Sequence, residues 1–338
     1  MIKKIFLYTL ITFTFIISSF IGIAYYYLYQ FSKKQIHVTD SNKMFILKKG
    51  ISLHQLVDQI KEANLMDNAY LLPYLYKLHP ELSSIKAGVY QLQPHMTNEE
   101  FLKLLVSGKE SYFPIQFVEG KRAQDWLNLL KNAPYVRQTL SEKSNEEIAK
   151  LLGIEGSIEG WLSPNTYLYT ADSSDISILK RAHGAMKSNL KQVWENRDSE
   201  LPYKTPYELL IIASIIEKET SLSTERANIA SVFVNRLKKK MKLQTDPTII
   251  YGLGNNYTGK IRRIDLTDIK NPYNTYIIEG LPPTPIAMPS LASLEAAAHP
   301  AKTNYLFFVA NGTGGHTFTS DYNSHKRAVT YYRKLIKY

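Results

Sequence analysis

The longest apolar run in the chain lies at residues 5–29, uncharged and rich in Ile, Phe, Leu and Tyr, between Lys3-Lys4 and Lys33-Lys34. At about 1.5 Å rise per residue, a helix of that length exceeds the roughly 30 Å hydrocarbon thickness of a bilayer. The run predicts a transmembrane anchor at 5–29 behind a short N-terminus at 1–4. Gly22-Ile23-Ala24 is a weak small-x-small site, which leaves a cleaved signal peptide as the alternative, but the apolar part of a signal peptide is ordinarily much shorter. Two lysines flank each end, so the positive-inside rule separates the two sides only by the N-terminal amine. Tyr25, Tyr26, Tyr27 and Tyr29 are expected at the membrane interface, as an aromatic belt.

Beyond a polar linker at 30–43, apolar positions alternate between strand and helix periods. Residues 44–47 suit a strand, and Ser52-Leu53-His54-Gln55 is a capping box opening a helix with Leu53, Leu56, Val57 and Ile60 on one face. Residues 88–92 suit a second strand, and Thr97 and Glu100 cap a helix that stops at Gly108. These pieces predict a small α+β module at 44–110. A second region, 111–338, begins with a strand at 112–118, a turn at Gly120 and helices at 123–131 and 145–152. Thr205-Pro206-Tyr207-Glu208 then combines a capping box with proline at the first helical position. A helix at 225–240 carries Ile229, Val232, Phe233 and Leu237 on one face, and its lysine-rich end complements the helix dipole. Loops are expected at 244–289, and a hairpin pairs 305–310 with 316–319 around Asn311-Gly312-Thr313-Gly314-Gly315. The fold class is α+β.

Composition narrows the function. The chain has 338 residues, 44% of them hydrophobic, which suits a folded protein of two or three domains. It has no cysteine, which removes disulfides, thiolate metal sites and cysteine nucleophiles. A formal charge of +11 points to anionic surroundings, whether nucleic acid, lipid headgroups or an acidic wall polymer. No nucleic-acid motif accompanies that charge, and the anchor argues against a nucleic-acid partner. His299, His316 and His325 lack the short helical spacing of zinc sites, and the glycines at 312–315 lack the lysine of a phosphate loop. There is no GxSxG elbow. No metal or cofactor is expected.

One pattern invites chemistry. The segment 207–216 is nearly all apolar, yet the helix it forms ends by delivering Glu217 and Glu219. A helix C-terminus disfavours negative charge, and Ile215 and Ile216 threaten desolvation, so both effects raise a carboxyl pKa toward what a general acid needs. Residues two apart on a helix point in nearly opposite directions, so the pair cannot flank one bond together. One works and the other supports, or both merely solvate a frayed helix end.

Six segments occur in an order that carries a resemblance: EGWLSPNTY at 159–167, ASIIEKET at 213–220, ASVFVNRL at 230–237, LQTDPT at 243–248, YNTY at 273–276 and GLPP at 280–283. Together they resemble the MltG (YceG-like) family of endolytic murein transglycosylases over nearly the full chain. The resemblance implies a LysM-like module at 44–110 and a YceG-like catalytic domain at 111–338. It also implies cleavage of nascent peptidoglycan glycan strands between N-acetylmuramic acid and N-acetylglucosamine, leaving 1,6-anhydromuramic ends. The family's catalytic glutamate falls on Glu217. Glu219, Gln244, Asp246, Asn274 and Tyr276 are candidate substrate contacts, with capped loops as the alternative for the last four. Thr284 and Ser290 stand where the family pattern has glycine. The expected partners are glycan strands, the lipid bilayer and glycan-polymerising synthases. The expected location is the cytoplasmic (inner) membrane, single-pass, with the catalytic domain on the periplasmic or extracytoplasmic side. A hydrolytic muramidase and a noncatalytic wall-binding scaffold remain as alternatives.

Overall fold

A computed structural model describes residues 2–336; Met1 and the last two residues, which the expected bounds include, lie outside it. The chain forms two compact units, Met1–Phe113 with Tyr169–Asp172, and Pro114–Leu168 with Ser173–Tyr338.

The first unit opens with α1 (Ile2–Lys33), whose mean hydropathy of 2.0 and lack of burial over its apolar window qualify it as a candidate membrane span. Threonines along α1 return their hydroxyls to carbonyls one turn back, Thr12 to Tyr8 at 2.9 Å for example, so polar side chains are satisfied within the helix. The end of α1 packs into this unit. Phe31 is buried, its carbonyl accepts from Asn98 Nδ2 at 2.7 Å, and Lys33 pairs with Glu99 at 2.8 Å. Part of the expected linker is likewise packed, since Ile36 is buried and its N–H donates to the Met96 carbonyl.

β1 (Met44–Leu47), α2 (Leu53–Glu62), α3 (Leu72–Leu78), β2 (Gly88–Gln91) and α4 (Asn98–Ser107) follow. β1 and β2 pair antiparallel with Phe45 opposite Tyr90. Both predicted capping boxes form: Ser52 with Gln55, and Thr97 with Glu100. The core gathers Phe45, Leu56, Ile60, Tyr90, Phe101 and Leu105, with Phe45 edge-on to Phe101.

The second unit contains β3 (Phe113–Phe117) apart from its first residue, α5 (Ala123–Lys131), α6 (Asn145–Leu152), β4 (Asn165–Tyr169) apart from its last, α7 (Asp175–Glu195), α8 (Pro206–Glu219), α9 (Arg226–Lys238), α10 (Asp246–Leu253), α11 (Arg263–Leu266), α12 (Leu291–Ala298), β5 (Phe307–Ala310), β6 (His316–Thr319) and α13 (Tyr322–Leu335). The sheets are two-stranded, β3 with β4 and antiparallel β5 with β6, so helices dominate a mixed fold. At its centre is α8, every residue of which is buried from Leu209 to Ile216, with α7, α9 and α12 packed around it. Thr205 caps α8 as predicted by accepting from the Glu208 N–H, but the Glu208 carboxylate reaches the Lys204 N–H instead of closing the box on Thr205.

Two expectations need correction. The predicted loop region 244–289 contains α10, started by Pro247 at its first turn, and the short α11. The 21-residue α7 was not expected, although its buried Ile178, Leu179, Ala182, Met186, Leu190 and Val193 recur at helical spacing. Gly160 explains part of EGWLSPNTY: its φ is +80°, and a Cβ there would come within 2.5 Å of the Pro285 side chain.

Candidate active site

The deeply buried α8 delivers its two carboxyls to different neighbours. Glu217 turns toward the start of α12, where its Oε2 accepts hydrogen bonds from the Ser290 N–H at 2.9 Å, the Ser290 hydroxyl at 2.5 Å and the Ser293 hydroxyl at 2.7 Å. Its Oε1 has no hydrogen-bond partner among the described residues. Ser290 also caps α12 by accepting from the Ser293 N–H at 3.3 Å. The Gly120 turn adjoins this carboxyl: Lys218 Nζ donates to the Gly120 carbonyl at 3.1 Å, and the Gly120 N–H donates to the Met288 carbonyl at 2.9 Å. Ser290 and Ser293 were missed as site residues. The only trace of either in the sequence is Ser290's departure from the family's glycine.

Glu219 turns toward the start of α10, where the Thr245 hydroxyl donates to its Oε1. The residue keeps some exposure as a whole, but its carboxyl sits amid protein atoms, and burial pushes it up to about 7. The Asp246 charge adds to that rise, while the Thr245 hydrogen bond and His316 oppose it. Glu219 lines a cavity of about 360 Å³ together with Arg236, Gln244, Asp246, Tyr276 and Tyr322. Asp246 accepts from the Tyr276 hydroxyl at 2.7 Å, and burial, ahead of the Asp246 bond, raises the Tyr276 hydroxyl pKa. Gln244, at a φ of +52°, accepts from Arg236 Nη1 at 3.1 Å. Arg236 Nε and Nη1 also donate to the carbonyls of Leu306, Lys242 and Leu243, so this guanidinium shapes the wall of the cavity.

The structure therefore brings Glu219, Gln244, Asp246 and Tyr276 to one cavity and leaves Glu217 outside its lining. Asn274, the remaining candidate substrate contact, is not part of that lining. It is fully buried, and its amide nitrogen donates to the carbonyls of Asp265, Leu266 and Asp268, so it braces the loop that presents Tyr276. Thr284, the other departure from the family pattern, exchanges a hydrogen bond with the Tyr273 hydroxyl at 2.9 Å.

The profile of the YceG-like family matches residues 45–331, which spans both units and all of these side chains. The chain belongs to the YceG-like family. Among relatives, an endolytic murein transglycosylase of Bacillus subtilis strain 168 is 33% identical over 307 residues, covering 85% of this chain and 83% of that protein. Endolytic murein transglycosylases of two Streptococcus pneumoniae strains, D39 and R6, are each 28% identical over 342 residues. Those alignments cover 90% of this chain and span 61% of the streptococcal proteins' length. A crystal structure of a YceG-like protein from Listeria monocytogenes superimposes with a TM-score of 0.54 at 28% identity, covering 84% of this chain and 98% of that one.

Proposed function

We propose that this YceG-like protein is an endolytic peptidoglycan lytic transglycosylase, held at the cytoplasmic membrane by α1, with Glu217 as its single general acid and base. The observation that carries the reading is the mounting of Glu217: three donors fix one carboxyl oxygen and leave the other unengaged. A carboxyl held in this way can protonate the oxygen between N-acetylmuramic acid and N-acetylglucosamine as the C1–O bond breaks. The C6 hydroxyl of the same muramic acid then closes on C1 and returns its proton to Glu217. The products are a 1,6-anhydromuramic end and a new N-acetylglucosamine hydroxyl, with no water consumed. An intramolecular nucleophile takes the place of the captured water of a two-carboxylate hydrolase. Gln244, Asp246, Tyr276 and Glu219 contact the strand in this reading, residues 44–110 form a LysM-like module that adds glycan affinity, and residues 111–338 are the catalytic domain. Synthases that extend the strand are the corresponding protein partners.

A second reading has its own observation. Glu219 and Asp246 line one cavity, and burial raises the Glu219 carboxyl, which is the setting of a hydrolytic muramidase with an acid and a base. Two experiments separate the readings. Mass spectra of digested strands dominated by anhydro ends, lighter by one water than reducing ends, support the lyase; a majority of reducing ends would sink it. Glu217→Gln should lower cleavage by at least ~10²–10⁴-fold with fold and glycan binding intact, while Glu219→Gln keeps measurable activity. Near wild-type cutting by a folded Glu217→Gln chain would remove the proposed acid.

The anchor is tested by orientation. A reporter active only in the cytoplasm, fused to the C-terminus, should stay silent in this reading. A strong signal would place the catalytic unit on the wrong side of the membrane.

A further inference from the structure

A cavity of about 790 Å³, more than twice the volume of the one beside Glu219, lies elsewhere in the second unit. One wall is a stripe of α7 in which His183, Lys187, Lys191 and Trp194 recur three or four residues apart, flanking the stripe that α7 buries in the core. The opposite wall is the turn after α6. The floor is Trp161 of EGWLSPNTY stacked on Tyr207 at the start of α8, with ring centroids 5.8 Å apart and planes 11° from parallel. The His183 ring meets Trp161 edge-on at 5.8 Å, and the Arg197 guanidinium covers one face of Trp194 at 3.6 Å. Trp161, Trp194 and Tyr207 all keep partial exposure, whereas Lys187 and Lys191 are exposed. Glu155 and Glu195 also line the cavity, and Glu195 stands 3.8 Å from the Lys191 ammonium.

Flat aromatic walls with a few polar groups at the edge suit a ligand that is apolar on its faces and polar around its rim. A pyranose ring has that character, with C–H bonds on its faces and hydroxyls at its periphery. Two exposed lysines one turn apart, Lys187 and the Lys191 that Glu195 approaches only at 3.8 Å and in solvent, add a site for carboxylates, which the peptide stems of a wall strand carry and a bare sugar chain lacks. The cleft spans about 16 Å between His183 and Trp194 along α7, room for several linked rings. Tyr207 lies ten residues before Glu217 on the same helix, so cleft and carboxyl are separated by about 15 Å along its axis.

We propose that this cleft is a second glycan site, holding the sugar rings of a peptide-bearing strand against Trp161 and Trp194 and the stem carboxylates on Lys187 and Lys191. The proposal rests on peptidoglycan being the substrate, but not on how the strand is cut. The full-length chain carrying Glu217→Gln, in detergent, is titrated by tryptophan fluorescence with uncrosslinked peptide-bearing strands, with strands stripped of peptide, and with free stem peptide. Two of the three tryptophans line the cleft, and the third, Trp126, is buried, so the signal reports on this site. Both kinds of strand should give a saturable change. The doubly substituted Lys187→Glu, Lys191→Glu chain, altered only at exposed positions, should bind peptide-bearing strands ~10-fold more weakly and stripped strands with little change. Trp194→Ala, with circular dichroism as its folding control, should weaken both. The proposal is overturned if strands bind without a fluorescence change, if the lysine substitutions leave peptide-bearing strands unaffected, or if free stem peptide responds as strongly as strands. Cleavage is measured separately on the chain with native Glu217. If that chain fails to cut while the cleft still responds to strands, the proposed reaction falls and this site stands.

Discussion

Ser290 couples the position of the proposed acid to the start of a helix. Its hydroxyl donates to Glu217 and accepts from the Ser293 N–H that opens α12, so one side chain fixes both. Replacing it separates the two effects. Ser290→Gly keeps the backbone N–H that Glu217 also uses and costs a few tenths of a kcal/mol at an N-cap, whereas Ser290→Ala costs about 1 kcal/mol. Both remove one of the three donors. Turnover should therefore fall by a similar ~10-fold in the two variants with KM little changed, while the alanine variant alone melts clearly lower. Undiminished turnover in both would mean that the hydroxyl does not orient Glu217. The sequence marks Glu217 because charge ending an apolar run is visible locally. It cannot mark Ser293, because the contact joins residues 76 apart in the chain and depends on where α12 packs. Asn274 shows the converse: an amide in a polar loop reads as a sugar contact until its three backbone carbonyls are in view.

Elements with local signals were legible in the pattern. Capping boxes placed the starts of α2 and α4, proline and threonine placed α8, and alternation with a glycine turn placed the β5–β6 hairpin, because those determinants lie within a few residues of each other. The helical period of α7 is diluted by its second stripe, where His183 and Trp194 break the contrast between buried and solvated sides. α10 was obscured for another reason: Thr245, its N-cap, makes no side-chain cap, since its hydroxyl goes to Glu219. The turn between β3 and α5 depends on a buried carboxyl that composition does not single out. Glu159 accepts from the Ala123 N–H at 3.0 Å and the Tyr251 hydroxyl at 3.2 Å, and burial lifts it to about 7. From the ordinary range near 4.5 up to about 7, the folded chain holds a proton that the unfolded chain has released. Stability contributed here is therefore lost as pH rises through that window, by up to about 3 kcal/mol. Glu219 acts with the same sign. In melts across pH 5 to 8, Glu159→Gln should gain on the wild-type chain up to about pH 7 and hold that gain above it. A constant offset between the two would show that Glu159 stays charged throughout.

At the scale of the whole chain, the hydrophobic pattern separated the apolar helix α1 from the folded remainder, and motif order carried the family. It did not show that Tyr169–Asp172 belongs with the first unit, because that assignment depends on contacts across long separations. The burial of α8 has a consequence in time as well as in space. Local opening draws on segments with few buried contacts, and Leu209 to Ile216 have no solvent-facing side on which to open. Their amide hydrogens should exchange only through global unfolding of the second unit, more slowly than those of the exposed α13. A carboxyl mounted on such a post does not drift before the unit melts. Loss of cleavage on heating should then follow the unfolding curve within a degree or two, and activity that fades well below the melting transition would locate the weak point in the loops around Glu217.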